Sequence, residues 1–221
     1  MDQPVSEATV GRLPAYLRAL VDLADDDVVS VSSDRLAKLA GANPATLRRD
    51  LASLGFSGTR GVGYDVKYLL FEVSVILGVN QEWSVAVVGA GNLGRALANY
   101  QGLASRGFPI RVLFDVDPAL VGTEVAGLTV SHVDRLDELV AELGITVGVI
   151  ATGVEAAQSV ADRLVGAGVT SILNFTSDPL QVPEHVVVRR VDLATELQIL
   201  SFYKRRDIAV SGGAGVPLGE D

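Results

Sequence analysis

Residues 84–115, SVAVVGAGNLGRALANYQGLASRGFPIRVLFD, decide the fold. Ser84–Val88 is a short apolar run with β character, and Gly89-Ala90-Gly91-Asn92-Leu93-Gly94 follows it at once. Arg95–Arg106 then has helical spacing in Leu97, Tyr100, Leu103 and Ala104, and a second apolar strand, Ile110–Phe114, closes on Asp115. A lone G-x-G-x-x-G means little. Placed between a strand and a helix, with an acidic residue ending the next strand, it is the pattern of a dinucleotide-binding βαβ unit. Gly89 permits the tight strand-to-helix turn, Gly91 lets a pyrophosphate approach the backbone, and Gly94 lets the helix pack on the strand. Unpaired amides at the helix start hold the phosphate charge. Asp115 would accept from the adenine ribose 2′-hydroxyl and repel a 2′-phosphate, which favours NAD(H) over NADP(H). Val116 after it is not an arginine that would rescue phosphate binding.

Outward from this unit the alternation continues. Val133–Leu143 is expected as helix, Thr146–Ala151 as a buried strand ending at Thr152-Gly153, and Glu155–Gly166 as helix. Ser171–Leu173 is expected as a strand ending at Asn174, and Val186–Val191 as a strand ending at Asp192. The fold expected for 81–191 is an α/β Rossmann domain, doubly wound with a mostly parallel sheet. Ligands in such sheets sit beyond the carboxyl ends of the strands. Residues 89–94, Asp115, Val116, Thr152, Gly153, Asn174 and Asp192 would therefore outline one cleft, although Thr152 and Asn174 are equally residues that cap loops.

The chain before this domain has a different texture. Val10–Leu23 has helical spacing with Thr9 as a candidate cap, Val28–Val31 leans to β, and Ser33 precedes a short helix over 34–40. Gly41-Ala42-Asn43 is a turn, Asn43 an N-cap, and Pro44–Leu54 a third helix ended by Gly55. Two short helices joined by a glycine-containing turn are a helix-turn-helix, whose second helix enters the DNA major groove. Its N-terminal half offers Thr46, Arg48 and Arg49, while Leu47 and Leu51 face inward. Phe56–Tyr64 would form a wing about Gly61 and Gly63 that carries Arg60 to the DNA; the plainer alternative is a three-helix domain with solvated arginines. The net charge of −9 disfavours a nucleic-acid partner only on average. Segment 35–67 holds Arg35, Lys38, Arg48, Arg49, Arg60 and Lys67 against Asp50 and Asp65 alone, a basic island in an acidic chain. A helix over 65–78 and a linker at 78–82 complete a first domain of 1–80.

Composition removes several functions. With no cysteine there is neither disulfide nor thiolate chemistry, and His132 and His185 are too few and too far apart for a metal site. No stretch reaches the ~18–20 apolar residues of a membrane span, and MDQPVSEATV lacks the layout of a secretory signal; a reducing cytoplasm fits. No catalytic residue is identified. Tyr64 and Lys67 are three apart and in the other domain, so no Tyr-x-x-x-Lys pair exists there; His132 precedes a helix it would cap, and His185 lies in a loop. A complete cofactor half without a catalytic half points to sensing. An NAD-dependent oxidoreductase with an N-terminal interaction domain is the alternative, and a scaffold of the CoA-binding kind a third, against which Asp115 counts.

With both motifs in this order the chain resembles the Rex family of redox-sensing transcriptional repressors. The segments that carry the resemblance are RLPAYLR (12–18), TLRRDLASLG (46–55), GTRGVGYDV (58–66), VVGAGNLG (87–94), FDVDP (114–118), SILNF (171–175) and VPEHV…VDLATELQ (182–198). It implies a winged-helix domain joined to a Rossmann domain in a homodimer. NADH would release double-stranded operator DNA, and NAD would oppose release by competing for the site. It implies DNA contacts at Thr46, Arg48, Arg49, Arg60 and Gly61, and a redox switch of Arg18, Tyr100 and Asp192, the latter two beside the cofactor. Arg18 as a helix-surface residue, Tyr100 as a core residue of the first Rossmann helix and Asp192 as an N-cap remain open readings. Oxidised nicotinamide is cationic and reduced nicotinamide neutral, so a carboxylate near the ring would tell them apart. The last helix, 192–206, carries Leu197, Leu200 and Phe202-Tyr203 and fits the family's swapped dimerisation helix; the Gly-rich tail, 207–221, is expected to be disordered.

Overall fold

The computed structural model describes residues 5–211, with side chains as far as 205. The chain separates into two compact units that meet between Gln81 and Glu82.

In the first unit, helix α1 (Glu7–Asp25) begins one turn earlier than its apolar spacing implies. Ser6 is the cap, accepting from the Thr9 amide at 3.2 Å, and Thr9 is instead buried within the helix. Strand β1 (Ser30–Val31) leads to helix α2 (Ser33–Leu39), which is capped by Ser32 rather than Ser33. Helix α3 (Pro44–Ser53) is capped by Asn43, whose Oδ1 accepts from the Ala45 amide at 2.8 Å, with Pro44 at the first helical position as expected. Strand β2 (Tyr64–Asp65) pairs antiparallel with β1, and helix α4 (Val66–Leu77) closes on Gly78 in the left-handed conformation. The wing is narrower than two paired segments. Thr59 and Gly63 form a single bridge, with backbone bonds of 2.7 and 2.8 Å, around Arg60, Gly61 and Val62. Gly63 has φ +96°, and a Cβ there would collide with the Val31 carbonyl, so only glycine fits where the wing crosses β1. Leu13, Tyr16 and Leu20 of α1 meet Leu36, Leu47, Leu51, Val66 and Leu69 in the core.

The second unit starts with strand β3 (Val85–Val88), buried along its whole length as the central strand of a two-faced sheet must be. Helices α5 (Asn92–Ala98) and α6 (Gln101–Ala104) follow, then strands β4 (Ile110–Asp115), β5 (Glu124–Val125) and β6 (Leu128–His132). Helix α7 (Leu136–Glu142), β7 (Val147–Ile150), α8 (Val154–Gly166), β8 (Ser171–Asn174), β9 (Val187–Arg190) and α9 (Leu193–Ser211) complete the order. The sheet runs β5-β6-β4-β3-β7-β8-β9, all parallel except the β5–β6 hairpin. Without β5 this is the doubly wound 3-2-1-4-5-6 order, which reverses direction between β3 and β7. The β5–β6 hairpin escaped the sequence pattern because its turn is Ala126-Gly127. Both residues have positive φ, 53° and 80°, a geometry whose usual marker is Asn-Gly or Asp-Gly.

Two further differences bear on function. The helix expected over 95–106 is broken at Asn99–Tyr100: Asn99 turns its side chain back to the Arg95 carbonyl (2.8 Å), and Tyr100 is extended with its ring over Gly102, where a Cβ would lie 2.5 Å from ring carbon. Tyr100 is consequently 52% exposed and not a core residue. Helix α9 runs past the expected end at Arg206 to Ser211; the rest of the expected disordered tail lies outside the described residues.

Candidate functional site

The cleft forms beyond the carboxyl ends of β3 and β7, where the sheet reverses. Gly89 turns with φ +103°, and a Cβ on it would sit 2.5 Å from the Ala151 carbonyl oxygen. A Cβ on Gly94 would run into the Gly89 carbonyl oxygen, so α5 can lie this close to β3 only with glycine there. Gly91 differs: a Cβ there would meet nothing, which leaves open space at the head of α5 where no side chain caps the first amides. This is a cradle that a side chain would fill and that a phosphate suits. Asn92 and Leu93 begin the helix, and Ala90 is buried.

Asp115 has a second task beyond the one expected. Its Oδ2 accepts from the Ala90 amide at 2.6 Å, and its Oδ1 accepts from the amides of Val116 (2.7 Å) and Asp117 (3.0 Å). The carboxylate braces the glycine loop to the end of β4; Oδ1 is filled by two amides, while Oδ2, with one, keeps a lone pair for a ribose hydroxyl. Val88, Gly89, Gly91, Asp115, Val116, Thr152 and Gly153 line a cleft of about 310 Å³ together with Val133, Ala156 and Val160. The last three were not anticipated. They supply an apolar slot beside Asp115, suited to a planar adenine. Ala156 and Val160 stand four apart on α8, a spacing that places both on one face and that would have marked them.

Asn174 does not join the cleft, contrary to expectation. It is fully buried, its Oδ1 accepting from the Thr176 amide (2.9 Å) and hydroxyl (2.8 Å) and its Nδ2 donating to the Asp178 carbonyl (3.1 Å); it organises its own loop. Tyr100 lines a separate hollow with Leu103, Pro109 and Leu128. Asp192 caps α9, accepting from the Ala194 and Thr195 amides and from the Thr195 hydroxyl at 2.8 Å. The Thr195 bonds hold its carboxyl below the usual range, so it stays charged. Arg18 is exposed on α1 of the other unit. His132 caps the turn after β6, its Nδ1 accepting from the Asp134 amide at 3.3 Å, and His185 lies in a turn.

In the first unit Leu47 and Leu51 face inward as expected, while Arg48 and Arg49 on α3 and Arg60 and Gly61 on the wing are exposed and Thr46 is half-buried. The two arginines of α3 differ. Arg48 donates to Ser33 Oγ at 2.9 Å and lies 3.4 Å from Asp34 at the start of α2; Arg49 has no partner among the described residues. Beside them Asp50, which sequence reasoning treated only as a charge, is 3% exposed. It accepts from Arg12 Nε (2.6 Å) and Nη2 (2.7 Å), from the Tyr16 hydroxyl (2.7 Å) and from the Thr9 hydroxyl (3.1 Å).

The Arg12 guanidinium holds the Asp50 carboxyl below its ordinary range, against the opposing effect of burial. Burial, and then the hydrogen bond to Asp50, push Tyr16 up to about 12. The depressed Asp50 contributes stability that is present above the unfolded value of about 4 and is lost as pH falls through the folded value. The raised Tyr16 contributes stability that is full below pH ~10 and lost as pH rises toward 12. Thermal melts followed by circular dichroism across pH are expected to lose stability at both ends; Tyr16→Phe should flatten the alkaline limb and, by removing one of the donors that lower the Asp50 pKa, also reduce the acid limb. An unchanged alkaline limb in that variant would refute the assignment.

Comparison with known proteins bears on both halves. A family model described as CoA binding domain matches residues 80–178, and one described as a DNA-binding protein N-terminus matches residues 4–52. The redox-sensing transcriptional repressor Rex of Streptomyces griseus is 58% identical over 202 residues, covering 91% of this chain and 80% of that protein. The protein of the same name from Streptomyces coelicolor is 54% identical over 217 residues, covering 97% and 84%. Among solved structures, RSP, a Rex-family repressor, superposes with a TM-score of 0.87 at 33% identity over 97% of this chain and 100% of that one. RSP has also been crystallised with β-NADH (TM-score 0.84) and with β-NAD+ and operator DNA (TM-score 0.86).

Proposed function

Because this chain belongs to the Rex family of redox-sensing transcriptional repressors, we propose that it binds operator DNA through α3 and the wing when NADH is scarce and leaves it when NADH fills the cleft of the second unit. It is a regulator and not an enzyme. The observation that carries the reading is the completeness of the two sites. One unit has a glycine cradle, a ribose acceptor in Asp115 and an apolar slot; the other presents Arg49 and Arg60 outward. The residues lining the cleft are apolar, glycine or threonine apart from Asp115, and Asp115 is engaged by three amides. That lining suits the adenosine and pyrophosphate half of a dinucleotide.

In this reading Gly89, Gly91 and Gly94 with the head of α5 would hold the pyrophosphate, Asp115 the adenine ribose, and Val116, Val133 and Val160 the adenine. Tyr100 and Asp192 are the redox-sensing residues of the second unit. Tyr100 is exposed at the helix break in a hollow apart from the cleft, and Asp192 caps α9 with its carboxylate charged. The protein acts as a homodimer. Leu193, Leu197, Leu200, Phe202 and Tyr203 are all exposed along α9, an apolar surface that a swapped partner would cover. Its place is the cytoplasm, where the DNA and the nicotinamide pool are. No helix is long and apolar enough to cross a membrane, and no cluster that would hold a metal occurs among the described residues.

The test is operator affinity measured by gel shift against the NADH/NAD+ ratio at fixed salt, since phosphate contacts make affinity strongly salt-dependent. Rising NADH is expected to weaken binding by about 5–150-fold, the usual span of allosteric coupling, and DNA must weaken NADH binding by the same factor. DNA affinity indifferent to NADH would sink the reading, and steady NADH turnover with a carbonyl substrate would replace it with an oxidoreductase.

A further inference from the structure

Asp50 is the one charged residue that is buried among the described residues, and it lies on the outward-reading helix rather than in a cofactor site. Its four hydrogen bonds come from Thr9, Arg12 and Tyr16, which stand three and four apart on one face of α1. Stability is a weak reason for such a cluster, because a buried ion pair can commonly be replaced by apolar side chains at little or no loss. Direction is a better one. Leu47 and Leu51 anchor α3 to the core, but apolar burial is not directional. The two-pronged Arg12–Asp50 pair, with the Tyr16 hydroxyl, is satisfied in only one orientation. Asp50 also follows Arg49 directly, so the inward clamp and the outward cation turn together. Rotating α3 by about 30° would move a side-chain tip ~5–6 Å from the helix axis by roughly 3 Å, more than a hydrogen bond tolerates.

We propose that Asp50 is a positioning residue for operator binding: by tying α3 to α1 it sets the angle at which Arg49 and its neighbours meet the duplex. This rests on the reading of α3 as the DNA-contacting helix.

The full-length chain carrying Tyr16→Phe or Asp50→Glu tests it, with Arg49→Ala as the control. Tyr16→Phe removes one donor and leaves Asp50 bonded to Arg12 and Thr9. Asp50→Glu keeps the charge but lengthens the tie by one methylene. Two duplexes serve as probes: one selected by the wild-type protein from a random-sequence pool, and a scrambled duplex of equal length. Each variant is expected to bind the selected duplex about tenfold more weakly, to bind the scrambled duplex as the wild type does, and to keep the wild-type dependence of affinity on salt. A residue that merely stabilised the fold would not separate specific from non-specific binding in this way. If Asp50→Glu does not fold, Tyr16→Phe decides alone. A wild-type ratio of selected to scrambled affinity in the folded variants overturns the proposal, as does equal loss on both duplexes. Wild-type binding by Arg49→Ala would overturn the reading of α3 itself, and the proposal with it.

Discussion

In the Gly94→Ala variant, NADH affinity is expected to fall by at least about 100-fold, or about 2.8 kcal/mol, and DNA binding to stop responding to NADH. A Cβ at this position points at the Gly89 carbonyl oxygen and at Val87, so α5 must move away from β3. That motion displaces the helix amides that hold phosphate, and it strains the Ala90–Asp115 bond that braces the loop. Gly91→Ala provides the contrast. The added methyl meets no protein atom, so the variant should fold and melt like the wild type, yet it should still lose NADH affinity if a ligand fills the space beside Gly91. Trp83, the only tryptophan, stands just before β3, and energy transfer from it to bound NADH supplies the measurement. Release of DNA by NADH at wild-type concentrations in Gly94→Ala would show that the cofactor binds elsewhere.

On the DNA side, Arg49→Ala and Arg60→Ala are each expected to reduce operator affinity about 5–150-fold, from ~1–3 kcal/mol per lost contact. Each should also lower the slope of log affinity against log salt by about one if the lost contact is to phosphate. Arg49 has no partner to give up among the described residues, and Arg60 sits at the tip of the bridged wing turn. Arg48→Ala is expected to cost less, because its guanidinium is already engaged by Ser33 and Asp34. Filter binding across a salt series distinguishes the three. If Arg48→Ala cost more than Arg49→Ala, the assignment of Arg49 as the leading contact of α3 would be wrong.

Much of the architecture was legible in advance, for identifiable reasons. The glycine loop, the strands on either side of it and Asp115 at the end of β4 declare themselves through local spacing. The Asn43-Pro44 start of α3 and its inward Leu47 and Leu51 do so as well. Helix starts were misplaced where two hydroxyl residues competed: Ser6 and Thr9 at α1, Ser32 and Ser33 at α2. Periodicity locates a helix face but does not tell which hydroxyl turns back to the amides. The helix break at Tyr100 was hidden for a similar reason, since Leu97, Tyr100 and Leu103 keep helical spacing across it.

Taken alone, the sequence determined the two-unit order, the doubly wound sheet, the glycine loop with Asp115 at the end of the next strand, and helix α3 with its Asn43-Pro44 start. All of these follow from interactions between residues near in the chain: side-chain period, glycine where a Cβ cannot fit, a cap beside its helix. Only the tertiary structure decided that Asn174 serves its own loop, that Val133, Ala156 and Val160 complete the cleft, and that Asp50 is clamped by α1. Those assignments depend on which distant segments pack together. The partners of Asp50 lie 34 to 41 residues away, and the cost of burying its charge is met only where the folded chain brings Thr9, Arg12 and Tyr16 to the same point.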